Sequence, residues 1–81
     1  MSSNNWFVYI VRCSDDSLYT GVSNNVDKRI ATHNSGKGAK YTRARLPVNL
    51  VYSKDMETVS LAMKEEYRIK KLSRKEKLKL L

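Results

Sequence analysis

The sequence contains little of what disulfide-rich, zinc-binding or membrane proteins require. Its 81 residues include one cysteine, Cys13, and one histidine, His33. This excludes an internal disulfide framework and leaves too few soft ligands for a zinc finger. The longest apolar run, residues 6–11, is far shorter than the roughly 20 residues that span a membrane, and the N-terminus has no signal-peptide pattern. We therefore expect a cytoplasmic protein with no membrane partner.

Acidic residues are scarce relative to basic ones. The chain has 16 lysine and arginine residues against 8 aspartate and glutamate residues, a net charge of +8. Residues 37–81 hold 13 of the basic and 5 of the acidic residues, so the whole excess lies there. Such a charge favours a polyanionic partner, and nucleic acid is the first candidate. With 41% hydrophobic residues, the chain is too apolar to be a disordered basic tail.

The length and the hydrophobic pattern predict one small domain over residues 1–81, with a core at about 6–72 and a basic helix at 73–81. Predicted strands cover residues 7–11, 18–22 and 48–53. Predicted helices cover residues 25–33, 58–72 and 74–81, with a short helical turn at 41–45. Asn24 is the expected N-cap of the first helix, and Ser73 forms a capping box with Glu76 in the last.

This order, β-β-α-β-α-α, indicates an α/β (α+β) fold in which a small three-stranded antiparallel-type sheet is flanked by helices. The first strand is β-branched and aromatic at every position, so we expect it to be buried on both faces.

Glu66 is the most informative residue of the 58–72 helix. It falls within an apolar arc at helical spacing that comprises Val59, Ala62, Met63, Tyr67 and Ile69. A carboxylate that faces a core or a cleft needs a cation beside it. That cation is either a metal ion or a basic side chain such as Arg29 or Lys70, and position alone does not decide between them.

Arg29 and His33 share the predicted inward face of the first helix with Val26 and Ile30. Two polar groups on a core-facing stripe indicate a pocket. A lone histidine on such a face is most often a hydrogen-bonded core residue, but an inward arginine one turn away favours a functional site. Because Arg29 disfavours a second positive charge nearby, we expect His33 to be neutral in the free protein.

Tyr9 and Tyr19 lie on the two strands of a predicted hairpin, and either one alone reads as an ordinary strand aromatic. With a turn of three or five residues, Tyr9 lies opposite Gly21 and Val11 lies opposite Tyr19, which puts both phenols on one face. Gly21 is expected to leave open space beside the Tyr9 ring, where a phosphodiester could approach.

A basic cluster follows the first helix and suits a phosphate track with one aromatic residue for base stacking. It comprises Lys37, Lys40, Tyr41, Arg43 and Arg45, and we add Lys70 from the later helix as a nucleic-acid-binding residue. The alternative interpretation is a solvated basic surface.

These residues together resemble the GIY-YIG nuclease domain, and in particular its small stand-alone bacterial members. The resemblance covers about residues 6–72. Phe7 stands at the first glycine of the pattern and Thr20 at its second isoleucine, and both changes spare the polar side chains. The matching segments are Phe7-Val8-Tyr9, Tyr19-Thr20-Gly21, Arg29 with His33 one helical turn later, and Glu66 in Ala62-Met63-Lys64-Glu65-Glu66.

The resemblance implies a divalent-metal-dependent endonuclease that hydrolyses phosphodiester bonds in nucleic acid with little sequence preference. DNA is the first candidate substrate, and RNA stays open as the second. Glu66 would hold one Mg²⁺ or Mn²⁺ ion, and Tyr9 would take or relay the proton of the attacking water. The side chains expected to contact the scissile phosphate are Tyr19, Arg29 and His33.

Two alternative functions remain at this stage. One is a non-catalytic nucleic-acid-binding module that keeps the nuclease fold. The other is a protein-interaction domain whose basic helices dock an acidic protein partner.

Overall fold

A three-stranded antiparallel sheet with helices packed on both faces forms the framework of the computed structural model, which describes residues 5–81. The predicted order and the α+β class are confirmed. The elements are β1 (Phe7–Arg12), β2 (Leu18–Ser23), α1 (Val26–Thr32), α2 (Lys40–Arg43), β3 (Asn49–Asp55), α3 (Val59–Lys70) and α4 (Arg74–Leu78). A further helical turn, His33–Lys37, follows α1 directly. The polar N-terminal segment that speaks against a signal peptide falls mostly in residues 1–4, outside the described range.

Strand β1 is the centre of the sheet, whose order is β2-β1-β3. The hairpin register is the predicted one, with Tyr9 opposite Gly21 and Val11 opposite Tyr19 across a five-residue turn. This register puts the Tyr9 and Tyr19 side chains on one face of the sheet. Among the elements within residues 5–81, no helix is long and apolar enough to cross a membrane.

The central strand is buried on both faces, as predicted. Tyr9 and Val11 pack with Val26 and Ile30 from α1. On the opposite face, Val8 and Ile10 pack against α3. That second cluster includes Ile69 and, at its margin, Leu18, Val51, Tyr52, Met56 and Leu80. The sheet therefore separates two small cores, and the candidate site lies on the α1 side.

The first helix begins one residue later than predicted. Asn25, not Asn24, is its N-cap, and the Asn25 side chain accepts a hydrogen bond from the Lys28 amide at 3.1 Å. The reason is that β2 extends to Ser23. The Ser23 hydroxyl accepts a hydrogen bond from the Asn25 amide at 3.0 Å, which holds the chain in a turn before the helix. The α-helix ends at Thr32, and Gly36 in the following turn adopts a left-handed φ of 83°.

The third strand begins at Asn49 instead of Val48 and runs on to Asp55. Both backbone polar groups of Val48 are nevertheless hydrogen-bonded. The Asn34 side chain donates a hydrogen bond to the Val48 carbonyl at 3.0 Å and accepts one from the Val48 amide at 2.7 Å. The Asn34 amide thus takes the place of a neighbouring strand, and it ties the turn after α1 to the start of β3.

The predicted apolar arc of α3 is only partly buried. Ala62 and Ile69 are fully buried, but Val59 is 41%, Met63 54% and Tyr67 64% exposed. A sheet of three strands covers only a narrow strip of a helix, so the flank of the arc reaches solvent. Glu66 lies beside the buried strip and its side chain is 21% exposed.

The capping box of the last helix is confirmed: the Ser73 hydroxyl accepts the Glu76 amide, and the Glu76 carboxylate accepts the Ser73 amide. The helix ends at Leu78 instead of Leu81, and Leu80 packs at the margin of the α3-side core.

Shortening a side chain to alanine should destabilise the protein more on the buried side of α3 than on its exposed side. Ile69→Ala removes a fully buried side chain and should lower the free energy of unfolding by about 2–5 kcal/mol. Met63→Ala on the exposed flank is the matched control and should change it by less than about 1 kcal/mol. Urea denaturation followed by circular dichroism measures both. Equal losses would contradict the burial pattern of the helix.

Candidate active site

A buried hydrogen bond between Tyr9 and His33 lies at the centre of the site. The phenol oxygen of Tyr9, on β1, is 2.9 Å from Nε2 of His33, in the turn after α1. Each of the two residues is only 1% exposed. Because a polar group buried without a partner is unfavourable by a few kcal/mol, this bond holds both rings in place.

Two glycines make room for the pair. A Cβ atom on Gly21 would lie 2.5 Å from the Tyr9 hydroxyl, and one on Gly38 would overlap His33 Nδ1 and lie 2.8 Å from its Cα. The expectation of open space beside the Tyr9 ring is therefore wrong. The ring itself fills the space above Gly21, so a phosphodiester does not approach at that point.

The environment of Tyr9 keeps it protonated. Burial, and to a smaller degree the neighbouring Tyr19, raises the pKa of the phenol to about 12. The Arg29 guanidinium acts in the opposite direction, while the negative charge of Glu66 adds a smaller upward effect. A phenol with this pKa is almost never ionised at neutral pH, and it works best as a proton relay.

The environment of His33 keeps it neutral. Burial, followed by the positive charge of Arg29, holds its pKa below the ordinary value of 6.5. Both ring nitrogens have partners, because Nδ1 lies 2.9 Å from the Thr42 hydroxyl and 3.4 Å from the Ala39 amide. This agrees with the neutral ring expected from the sequence.

Arg29 itself is solvent-exposed, so the prediction of an inward arginine is wrong. In α1, Val26 and Ile30 pack on the core. Arg29 lines a pocket together with His33, and its charge still acts on Tyr9 and His33.

The pocket has a volume of about 450 Å³ and lies between the end of β2, α1 and the turn after it. Tyr19 and His33 form part of its wall. Three cationic side chains also line it, namely Lys28, Arg29 and Lys37, and no acidic residue is among its lining residues. A cavity with this lining suits an anion such as phosphate.

An aromatic column forms the far side of the site. The Tyr19 ring meets the His33 ring edge to face at 5.5 Å and stacks on Tyr41 at 5.9 Å. The Arg45 guanidinium lies over the Tyr41 ring at 3.9 Å from its centre and is itself paired with Asp15 at 3.1 Å. A base could stack on the face of Tyr41 that Arg45 covers only after Arg45 had moved.

Other members of the predicted basic cluster point to solvent. Lys37, Lys40 and Arg43 are exposed, and within residues 5–81 none of them forms an ion pair. Lys37 lines the pocket, whereas Lys40 and Arg43 lie on α2. Of the predicted cluster, these three are the side chains available to a polyanion.

Glu66 approaches the site from α3. Its carboxylate is 3.4 Å from Lys70 Nζ, one turn further along the helix, and Lys70 Nζ lies 5.9 Å from the centre of the Tyr19 ring. The structure thus provides the basic side chain that the sequence left undecided between Arg29 and Lys70. A pair of this i, i+4 kind at a helix surface contributes only about 0.3–0.5 kcal/mol, so another cation can displace the lysine.

Three residues of the site were missed by the sequence analysis. Lys28 could have been found, because it precedes Arg29 at the start of a predicted helix. Gly38 and Thr42 carry no local signal, because their importance comes from contacts with His33 that only the folded chain creates.

The lowered pKa of His33 makes stability depend on pH. Below about pH 6.5 the unfolded chain binds a proton on His33 that the folded chain does not readily bind. The free energy of unfolding should therefore decrease as the pH is lowered from about 7 to about 5. His33→Gln should remove this component. Urea unfolding across that range measures it, and identical slopes in the two proteins would contradict a buried neutral ring.

The close approach of Tyr9 to Gly21 predicts a coupled pair. Gly21→Ala should destabilise the protein by about 1–3 kcal/mol because the new methyl group overlaps the phenol. In a Tyr9→Leu background the same change should be much less damaging. A double-mutant cycle by urea unfolding tests this. Additive effects would show that Gly21 is needed for some other reason.

The chain is similar in sequence to a known catalytic domain and to several bacterial proteins. Residues 5–79 match the family model for the GIY-YIG catalytic domain. The chain is 59% identical over 75 residues to the UPF0213 protein SH2523 of Staphylococcus haemolyticus, which covers 93% of this chain and 92% of that protein. It is 56% identical over 77 residues to a UPF0213 protein of Bacillus licheniformis, covering 95% of this chain and 79% of the relative.

Two solved structures show the same fold. The UPF0213 protein BH0048 of Bacillus halodurans, solved by NMR, superimposes with a TM-score of 0.60 at 50% identity and covers 94% of this chain and 81% of its own. The NMR structure of protein EF2693 from E. faecalis gives a TM-score of 0.64 at 36% identity, with 99% and 88% covered. The family match over nearly the whole chain, together with these relatives, shows that the protein belongs to the GIY-YIG family, as the sequence motifs predict.

Proposed function

We propose that this protein is a divalent-metal-dependent endonuclease that hydrolyses phosphodiester bonds, in DNA in preference to RNA, with little sequence preference. The observation that carries the proposal is the Tyr9–His33 hydrogen bond, which is set behind a basic pocket and within range of the charges of Arg29 and Glu66. Membership of a family described as a catalytic domain supports it.

The basic pocket is the proposed phosphate site. Lys28, Arg29 and Lys37 line it, and hydrolysis increases the negative charge on the phosphoryl oxygens. The planar guanidinium of Arg29 can bind two of those oxygens at once. Low sequence preference follows, because contacts to phosphate carry no direct sequence information.

Glu66 is the proposed metal ligand, and its surroundings fit a hydrated hard cation. Its carboxylate is accessible, and its lysine partner is held by a weak surface ion pair. Within residues 5–81 no three histidine, cysteine, aspartate or glutamate side chains gather, so a closed cage of protein ligands is not offered. Mg²⁺ commonly keeps several waters and needs one or two carboxylates. When bound, it would supply charge stabilisation for the transferring phosphoryl group.

Tyr9 is the proposed proton relay and His33 the proton acceptor. As the attacking water gives a proton to the phenol oxygen, the phenol proton passes to His33 Nε2 over the 2.9 Å bond. The phenol stays neutral throughout, and the neutral imidazole becomes imidazolium. This route avoids ionising a phenol whose pKa is about 12.

A second candidate function is a nucleic-acid-binding module without catalysis. The observation that favours it is the Glu66–Lys70 ion pair, which leaves the carboxylate already neutralised by its own helix. Such a module would bind nucleic acid through the same pocket, and its affinity would fall with salt and not depend on metal.

Two adjacent glutamates provide a sharp test of the nuclease. Glu66→Gln should lower the rate of Mg²⁺- or Mn²⁺-dependent DNA cleavage at least about 100-fold while leaving DNA affinity at fixed salt within a few-fold. Glu65→Gln is the matched control, because Glu65 lies on the same helix and pairs with Arg68 at 2.7 Å. It should retain cleavage. Gel assays of labelled DNA and RNA strands measure the rates.

The outcomes separate the two functions. Cleavage that survives Glu66→Gln would remove the metal-ligand role. If the wild-type protein leaves DNA and RNA intact with either ion but binds them with a steep salt dependence, the binding module is the function. If it binds neither at low salt, the docking of an acidic protein becomes the preferred interpretation.

A further inference from the structure

The side chain of Thr42 is completely buried against the catalytic histidine candidate. Thr42 lies on α2 and is 0% exposed. Its hydroxyl oxygen is 2.9 Å from His33 Nδ1 on one side and 2.9 Å from the Ala39 carbonyl oxygen on the other. A hydroxyl group has one proton and can therefore donate only one of these two bonds.

The carbonyl decides which bond that is. The Ala39 oxygen can only accept, so the threonine proton is directed to it, and the hydroxyl oxygen must accept from His33. The same carbonyl also accepts the Thr42 and Arg43 amides at 3.1 Å each, which makes the hydroxyl its shortest contact. This arrangement requires the proton of the neutral imidazole to be on Nδ1.

One contact opposes this assignment. The Ala39 amide lies 3.4 Å from His33 Nδ1, and it would be a hydrogen bond only if Nδ1 were an acceptor. In that opposite arrangement, the Ala39 carbonyl would lose its bond of 2.9 Å from Thr42. The Thr42–His33 bond of 2.9 Å exists in either arrangement, so the choice is between the Thr42–Ala39 bond of 2.9 Å and the contact at 3.4 Å. Since the contact at 3.4 Å is at the weak limit of hydrogen bonding, the Thr42–Ala39 bond outweighs it.

We propose that Thr42 is a positioning residue that fixes His33 in the tautomer protonated at Nδ1, so that Nε2 is free to accept the proton of the Tyr9 phenol. The relay then has one direction: Tyr9 donates to His33, His33 donates to Thr42, and Thr42 donates to the Ala39 carbonyl. The part of this inference that concerns proton transfer rests on the proposed nuclease function. The part that concerns the tautomer does not.

The chain offers an unusually clean test, because His33 is its only histidine. Long-range ¹H–¹⁵N correlation spectra of the free protein at neutral pH distinguish a pyrrole-type nitrogen, which carries the proton, from a pyridine-type nitrogen. The wild-type protein should show pyrrole-type Nδ1 and pyridine-type Nε2. The reverse assignment would overturn the proposal whatever the protein's activity.

Three variants identify the residue that sets the tautomer. Thr42→Val keeps the size of the side chain and removes the acceptor, so the proton should shift towards Nε2; Thr42→Ser restores the hydroxyl and should restore the wild-type spectrum. Tyr9→Phe does not touch Thr42 and should leave the proton on Nδ1. An unchanged spectrum in Thr42→Val, or a shift in Tyr9→Phe, would show that Thr42 is not the determinant.

Cleavage assays test whether Thr42 contributes to the proposed proton relay. Thr42→Val should lower kcat by about 10- to 100-fold, with KM and DNA affinity changed less than about twofold, and Thr42→Ser should recover most of the rate. If wild-type protein cleaves nothing, the proposed function fails while the spectra still decide the tautomer. If it cleaves and Thr42→Val shifts the tautomer without lowering kcat, the role of Thr42 in the relay is wrong.

Discussion

The hydrogen bond between the Tyr9 phenol and His33 is the constraint around which the α1 side of the molecule is built. It joins the central strand to the turn after α1, and each partner is only 1% exposed, so breaking it would leave two buried polar groups without an equal partner. Gly21 lies beneath the phenol and Gly38 lies beside the imidazole. A methyl group at either position would overlap the adjacent ring and displace it. Backbone and side chains are therefore adapted to each other at this one point.

The burial that stabilises the pair also determines what it can do. A phenol shielded from water holds its proton more tightly, and an imidazole shielded from water accepts one less readily. Either change alone makes a poor acid–base group. Under the proposed function they act in series as a relay in which no phenolate needs to exist, because the phenol gains one proton as it loses another. Arg29 disfavours positive charge on His33, so the proposed imidazolium would be short-lived and the neutral resting state quickly restored.

Local rules predicted much of this fold from the sequence. Alternation of side chains and a five-residue turn placed Tyr9 opposite Gly21 correctly, and the Ser73 capping box formed as expected. Helical periodicity put Glu66 in the middle of the apolar arc of α3, whereas the structure places it beside the buried strip with its side chain 21% exposed. It failed for Met63 and Tyr67, because periodicity reports the direction of a side chain and not the width of the sheet that covers it. Thr42 could not be found at all, since its partner lies nine residues away and meets it only through the intervening turn.

The charges on one side of Tyr19 favour an anion, and the carboxylate on the other side favours a cation. The pocket side has Lys28, Arg29 and Lys37, whereas the α3 side has Glu66 with Lys70 beside it. The basic side chains on both sides attract phosphate even in the absence of metal. They repel a divalent cation that approaches Glu66 when no phosphate is bound. A phosphate group in the pocket would reverse that repulsion, and Lys70 would gain an anion to replace the carboxylate. Under the proposed function, nucleic acid and metal must therefore increase each other's affinity, since the surface that binds one becomes favourable for the other only when both are present.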